Sequence, residues 1–134
     1  MSVYLDASAL VRRYVSESGT ELVHAIMADD PDWVTGRHTW VEVWLALGRI
    51  LVADGIVAQR QAFERDWRRT MVVEIDHRVC SLAGHMGDSL GLRTLDALHL
   101  ACADRVGSRS IPLVTFDLRL AAGARSIGFT VVGS

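Results

Sequence analysis

The sequence predicts an α/β domain with a largely parallel sheet, because short apolar runs alternate along the chain with longer segments of helical period. Gly and Pro residues stand where many of these segments end, as expected at turns and helix stops. The length of 134 residues suits one domain over residues 1–134. The predicted strands are 3–6, 33–35, 71–75, 113–116 and 130–132, and the predicted helices are 8–15, 20–28, 39–53, 57–70, 77–90, 94–106 and 118–126.

The composition is that of an ordinary globular protein, with 50% hydrophobic and 22% charged residues. All 14 basic residues are Arg, whose guanidinium makes forked contacts to phosphates and carboxylates. The formal net charge of −2 argues against binding to a nucleic acid through bulk positive charge. A polyanionic partner would therefore be met by a local patch of arginines or through a metal ion.

The chain carries no pattern that predicts export or membrane insertion. Its first ten residues lack a basic start and include Asp6 where a signal peptide would be apolar. The longest apolar tract, residues 40–53, is interrupted by charged side chains, so it is not expected to span a membrane. Cys80 and Cys102 have no partner at zinc-ligand spacing and are expected to be buried, reduced thiols of a cytoplasmic protein.

Four carboxylates, Asp6, Glu42, Asp96 and Asp117, lie beside or inside apolar segments that should fold toward a core. A buried carboxylate is costly unless a cation compensates its charge. Asp6 and Asp117 each end a predicted strand, and ligands of open α/β sheets bind outside the carboxyl ends of the strands. We therefore expect the four acids to converge on Mg²⁺, with Mn²⁺ as a substitute, since both ions prefer oxygen ligands.

Each acid also has a plainer explanation. Asp6 and Asp117 precede predicted helices and would serve as N-caps. Asp96 would lie in the first turn of a helix, where the macrodipole favours a negative charge. Glu42 lies on a small or polar stripe of its helix, and a solvent-facing stripe would look the same.

Three further polar residues, Ser8, Thr115 and Arg93, each lie within three positions of one of these acids. Hydroxyl and guanidinium groups of this kind orient carboxylates and phosphates as outer partners. His99 follows Asp96 by three residues and is expected to be a structural imidazole rather than a proton carrier. The remaining histidines, which have no recognised ligand spacing, are His24, His38, His77 and His85.

Residues 3–10, 39–47, 92–101 and 113–120, which surround the four acids, together resemble the ordered motifs of the PIN domain. Size and spacing are most similar to the VapC-type ribonuclease toxins of bacterial toxin–antitoxin pairs. The resemblance implies a three-layer α/β/α fold with a central, mostly parallel five-stranded sheet. It also implies Mg²⁺-dependent endonucleolytic cleavage of structured RNA such as tRNA or rRNA, homodimerisation, and inhibition by a small VapB-like antitoxin. The family's metal-binding and catalytic acids carry over onto Asp6, Glu42, Asp96 and Asp117.

A basic face on the predicted helix 57–70 is the best candidate for contacts to RNA phosphates. Arg65, Arg68 and Arg69 are neighbours at helical spacing, although a merely solvated face would show the same pattern. Phe63 and Trp67 are expected to pack against Trp40, Trp44 or Leu47 rather than to stack on bases. The large side chains of these two adjacent helices still exceed what one face of a small domain readily buries. We therefore expect a homodimer through these helices.

Alternative functions differ in what they require of the acids. A catalytically silent binding module, in which the acids only cap helices, remains open and would not respond to Mg²⁺. A phosphatase of the haloacid dehalogenase kind needs a second Asp two residues after Asp6, where this chain has Ser8. A receiver domain needs a late Lys, and the chain contains no Lys.

Overall fold

A computed structural model describes residues 1–107 and 109–134, which form five strands and seven helices. None of the described helices combines the length and apolarity needed to cross a membrane. In chain order the elements are β1 (Ser2–Leu5), α1 (Ala7–Tyr14), α2 (Thr20–Asp29), β2 (Asp32–Gly36), α3 (Thr39–Ile50), α4 (Asp54–Arg68), β3 (Met71–Val73), α5 (His77–Leu90), α6 (Thr94–Gly107), β4 (Leu113–Val114), α7 (Leu118–Ser126) and β5 (Val131–Val132).

The five strands form one sheet in the order β3-β2-β1-β4-β5, and every neighbouring pair is parallel. This confirms the α/β class and the parallel sheet that the alternating pattern predicts. β1 occupies the centre, between β2 and β4. Because all strands run in one direction, their carboxyl ends meet at a single edge of the sheet.

Helices cover both faces of the sheet and make the predicted α/β/α architecture. β1 shows the division, since Val3 and Leu5 pack into the core beneath α1 to α4. Tyr4, between them, points into the second core, which α5 to α7 cover. A strand buried on both faces favours large apolar side chains on each face, which explains the run Val3–Leu5 in β1.

Predicted element boundaries agree best where a turn residue stops the helix. The predictions for 77–90 and 118–126 coincide with α5 and α7. The prediction for 39–53 is too long, because α3 ends at Ile50 and Ala53 adopts a left-handed φ of 47° before α4 begins. The apolar pattern continues through this break, so periodicity alone does not reveal it.

The expected surplus of exposed aromatic residues on α3 and α4 is wrong. Trp40 and Trp44 stack with their ring centroids 4.7 Å apart, and Phe63 is only 1% exposed. Trp67 packs edge-on against Phe63 at 5.6 Å. The exposed apolar side chains of these two helices and their connection are instead Val41, Leu45, Ile50, Val52 and Val57.

The two cysteines differ in their surroundings, contrary to the expectation that both are buried. Cys102 lies in the second core, whereas Cys80 is exposed on the outer face of α5. Both are free thiols, as expected. An outward position on an amphipathic helix explains the exposure of Cys80, since α5 buries Val79 and Ala83 on its other side.

Candidate active site

The carboxyl edge of the sheet brings the first two acids together. Asp6 follows β1 and starts α1, whereas Asp117 lies between β4 and α7. The two strands are neighbours, and the Asp6 amide donates to the Val114 carbonyl at 3.2 Å. Asp6 is 3% exposed, so its carboxylate lies inside the protein rather than on the surface.

Three donors hold the Asp6 carboxylate. Oδ1 accepts hydrogen bonds from the Ser8 hydroxyl at 2.7 Å and from the Ala9 amide at 2.9 Å. Oδ2 accepts a hydrogen bond from the Thr115 hydroxyl at 2.5 Å. All three hydrogen bonds favour the ionised form and fix the orientation of the carboxylate.

The same hydroxyls connect Asp6 to Asp117. Thr115 Oγ1 accepts from the Asp117 amide at 3.0 Å, and Ser8 Oγ accepts from the Phe116 amide at 2.9 Å. Asp117 Oδ1 accepts from the Leu120 amide at 2.9 Å. Both acids are therefore helix caps and members of one cluster, so the two interpretations of the sequence are not exclusive.

Asp96 lies in the first turn of α6 and is influenced by the charges of the other three acids. The pKa of its carboxyl is raised, chiefly by burial and then by the negative charges of Asp117, Asp6 and Glu42, while His99 opposes the shift. The pKa of Asp6 is also raised, and burial is again the largest cause. These acids lie close enough to disfavour one another's charge, although burial has the larger effect.

Glu42 approaches this cluster from α3 but makes its shortest contact with an imidazole. Its Oε1 lies 2.8 Å from His99 Nε2 and 3.7 Å from His38 Nε2. An ionised carboxylate only accepts hydrogen bonds, so His99 Nε2 carries the hydrogen and its Nδ1 accepts from the Tyr4 hydroxyl at 2.8 Å. Tyr4 is fully buried, which raises the pKa of its hydroxyl and keeps it a donor.

His38 is the site residue that sequence reasoning missed. It precedes Glu42 by four residues on one helix face, and its ring centroid lies 4.2 Å from that of His99. Within the described part of the chain, neither of its buried ring nitrogens has a hydrogen-bond partner. Burial, followed by the nearby His99, lowers the pKa of His38 to about 4. The i, i+4 spacing to Glu42 was the signal that could have identified it.

Gly36 makes room for this imidazole. A Cβ at position 36 would lie 2.7 Å from His38 Cε1, closer than real Cβ contacts allow, and a tight 3.0 Å from Cys102 Sγ. The last residue of β2 is therefore a glycine for steric reasons, because the His38 ring packs directly against its backbone.

The predicted RNA-contacting arginines lie away from the acids. Arg69 donates to the Pro31 carbonyl at 2.8 Å and lies 3.6 Å above the Trp33 ring, at the end where β2 begins. Arg65 and Arg68 are exposed near the same end of α4. A role in RNA binding stays a prediction, and it would concern a part of the RNA remote from the acids. Arg93 is exposed immediately before α6, one turn from Asp96.

Comparison with known families identifies the fold. The family model described as the PIN domain matches residues 3–125. The chain belongs to the PIN-domain family. The match contains all four acids and both imidazoles of the cluster, so the candidate site lies inside the region that defines the family.

Curated relatives of this PIN domain are VapC ribonucleases of Mycobacterium tuberculosis. Ribonuclease VapC45 is 32% identical in an alignment that covers 96% of this chain and 93% of the relative. Ribonuclease VapC46 is also 32% identical, in an alignment that covers 98% of this chain and 96% of the relative. Ribonuclease VapC35 is 33% identical and covers 97% and 95%.

Solved structures share the fold at lower identity. A toxin–antitoxin complex from Klebsiella pneumoniae has a TM-score of 0.71 at 18% identity and covers 97% of this chain and 95% of its own. Mycobacterium tuberculosis VapC20, described as a sarcin–ricin loop cleaving toxin, has a TM-score of 0.69 at 20% identity, with 98% of each chain covered. FitAcB from Neisseria gonorrhoeae has a TM-score of 0.74 at 16% identity and covers 98% and 96%.

A groove of about 650 Å³ opens beside the acids, between α1 and α3. Ser8, His38 and Glu42 line the part nearest the cluster. Val41 and Leu45, both exposed, line the apolar part along α3. A bound molecule could therefore contact Glu42, the one acid that lines the groove, and an apolar helix face together.

Replacing Asp96 by Asn should change the pH dependence of stability. The carboxyl of Asp96 has a higher pKa in the folded protein than in the unfolded chain, where it is about 3.9. Asp96 therefore leaves the unfolding free energy unchanged below about pH 3.9 and lowers it progressively as pH rises through the folded pKa. The unfolding free energy of Asp96→Asn minus that of wild type should therefore increase between about pH 4 and pH 7 in EDTA. Urea unfolding at each pH measures the unfolding free energies of wild type and variant. Glu64→Gln, an exposed position on α4, is the control. A gap that stays constant or narrows with pH contradicts this account.

Proposed function

We propose that this PIN domain is a Mg²⁺-dependent endoribonuclease that acts as the toxin of a type II toxin–antitoxin pair. The observation that carries the proposal is the convergence of Asp6, Asp96, Asp117 and Glu42 at one edge of the sheet. The chain's similarity to relatives named ribonucleases, at about a third of positions over nearly the whole length, supports the same conclusion.

The donor chemistry fits a hard divalent cation. The central cluster offers carboxylate oxygens from Asp6, Asp96 and Asp117, and all-oxygen sets suit Mg²⁺ or Mn²⁺ rather than softer ions. Burial of Asp6 and the mutual repulsion of the acids are costs that a cation removes. Such an ion supplies Lewis acidity and activates water for attack on a phosphodiester, and four carboxylates are enough donors for a two-metal mechanism.

The protein's own part in the reaction is to hold these oxygens in place. Ser8 and Thr115 donate to opposite oxygens of Asp6 and prevent its carboxylate from turning. Asp117 is held by its cap to α7 through one oxygen, Oδ1. His99, itself held by Tyr4, orients Glu42 from the other side. The site is therefore organised before substrate arrives, which lowers the cost of reaching the reactive geometry.

We propose a structured RNA, such as a tRNA or rRNA loop, as the substrate. Sequence-specific proteins usually read unpaired bases of loops, and such loops also present the backbone to a cleft at the end of a sheet. VapC20, which shares the fold, is described as cleaving the sarcin–ricin loop. A catalytically silent binding module is the competing function, and cleavage assays with a defined RNA distinguish it from a nuclease.

Cleavage should depend on Asp96 and on the divalent ion. Asp96→Asn is expected to lower the Mg²⁺-supported rate at least about 100-fold, since even outer partners of metal ligands are worth roughly 10–100-fold. At a Mg²⁺ concentration about 100 times its Kd, wild type should gain about 2.7 kcal/mol of stability, and the variant should lose most of that gain. Asp29→Asn, at an exposed position on α2, should keep both properties. An active Asp96→Asn, or a wild type that is equally active in EDTA, would falsify the metal-dependent mechanism at this site, and no cleavage by wild type in Mg²⁺ would contradict the nuclease assignment.

We propose a small VapB-like antitoxin as the protein partner. Solved structures with the same fold include toxin–antitoxin complexes, and the groove beside the acids has an apolar wall of Val41 and Leu45. Four carboxylates create a negative field that attracts a basic side chain, and Arg can engage them in a forked contact. An apolar segment of the partner along α3, followed by an Arg at the acids, would fit this surface.

Leu45→Asp should weaken binding of the small protein encoded in the neighbouring reading frame. A buried anchor of an interface is worth about 2 kcal/mol or more, so the Kd should rise roughly 30-fold. Leu22→Asp, at an exposed position on α2, should leave the Kd unchanged. Calorimetry measures both Kd values, and equal affinities for the two variants would exclude this groove as the partner site.

We also propose that two copies of the chain associate through the junction of α3 and α4. Ile50, Val52 and Val57 form an exposed apolar group there, and Val52 is 80% exposed. Light scattering at micromolar concentration should give a dimer for wild type and a monomer for Val52→Glu. A wild-type monomer under these conditions would rule out the dimer.

A further inference from the structure

Two imidazoles and one carboxylate converge beside the acid cluster. The donor atoms of His38, Glu42 and His99 all lie within 4.8 Å of one another. Glu42 Oε1 is 2.8 Å from the ring nitrogen of His99 and 3.7 Å from that of His38. The group draws on both helical layers, because Glu42 belongs to α3 and His99 to α6.

We propose that His38, Glu42 and His99 form a Zn²⁺ site separate in chemistry from the all-oxygen cluster. Two His and one Glu are a ligand set that Zn²⁺ takes in proteins, with a fourth position left for water. Mg²⁺ prefers oxygen donors and rarely uses imidazole, so the two neighbouring sites would select different ions. The proposal depends on the three side chains alone and stands whether or not the chain cleaves RNA. Glu42 is then a zinc ligand, and Asp6, Asp96 and Asp117 remain as the oxygen donors for Mg²⁺.

The two distances from Glu42 suit a zinc ion after small adjustments, and the donor nitrogens of the two imidazoles lie within 4.8 Å of each other. Zinc bonds of about 2.0–2.2 Å in a tetrahedral site separate neighbouring ligand atoms by roughly 3.3–3.5 Å. The two distances from Glu42 fall on either side of this value. Glu42 would therefore withdraw slightly from His99 and approach His38, which lies on the preceding turn of the same helix face.

The surroundings of the two imidazoles support metal binding. His99 Nδ1 faces the Tyr4 hydroxyl at 2.8 Å, and in the tautomer that frees Nε2 for a metal it donates a hydrogen bond to Tyr4 oxygen. Ligating histidines commonly have such an outer partner. His38 is held against Gly36, and its buried nitrogens have no partner among the described residues. A buried polar group without a partner is unusual, and a zinc bond would satisfy one nitrogen.

Metal titration of the EDTA-stripped full-length chain tests the proposal. Co²⁺, which replaces Zn²⁺ in such sites, should produce visible d–d absorption at one equivalent, and Zn²⁺ should abolish it. His38→Gln should weaken Zn²⁺ binding measured by calorimetry at least about tenfold. His85→Gln, an exposed position on α5, is the matched control and should bind as wild type does.

A second comparison separates this site from the acid cluster. Asp96→Asn should retain the Co²⁺ spectrum and the Zn²⁺ affinity, because Asp96 contributes no ligand to it. No Co²⁺ absorption in wild type, equal Zn²⁺ affinity in His38→Gln and wild type, or an equal loss of affinity in Asp96→Asn would each overturn the proposal. Glu42→Gln, which preserves the shape of the side chain, replaces His38→Gln if that variant does not fold, and the same tenfold loss is required of it.

Discussion

The buried carboxylate of Asp6 is the constraint on which the rest of the site depends. It lies at the end of the central strand, and its three donors come from α1 and from the segment after β4. The hydroxyls that donate to it also accept hydrogen bonds from the amides of Phe116 and Asp117. They therefore fix the backbone between β4 and Asp117. Loss of this carboxylate would leave Ser8 and Thr115 without their acceptor and loosen two strand–helix junctions together.

The acids of the site lie in surroundings that disfavour their charge. Burial raises the pKa of Asp6 and Asp96, so the surroundings of both carboxyl groups disfavour their charged form. Hydroxyl and amide donors offset the effect of burial on the pKa of Asp6 in part, whereas the charge of Asp117 adds to the effect of burial on the pKa of Asp96. Raised carboxyl pKa values of this kind are typical of functional sites, and helix capping alone does not require them.

The contact between Glu42 and His99 joins the two helical layers around the end of the sheet. α3 belongs to the layer that contains α1, whereas α6 belongs to the layer that contains α5 and α7. The 2.8 Å contact therefore depends on the lengths of β1 and β2 and on how each layer packs. Tyr4 and Gly36 position the imidazoles from inside, by a hydrogen bond to His99 and by the space left for His38.

Local patterns in the sequence determined the fold class and the acids at strand ends. A parallel sheet aligns its carboxyl ends, so Asp6 and Asp117 could be assigned to one edge from their positions after apolar runs. The short spacings of Ser8 to Asp6 and Thr115 to Asp117 likewise predicted the supporting hydroxyls, because neighbours in sequence at a strand end remain neighbours in space.

Only the tertiary structure decided which interactions cross between distant elements. His99 and Glu42 are 57 residues apart, and their contact requires two helices from opposite layers to meet. The packing of Phe63 near Trp40, between α3 and α4, follows the sequence-based expectation for that side chain, but how completely the pair is covered depends on the fold. Periodicity states that a helix has an apolar face, but the neighbour that covers that face depends on packing of the whole chain.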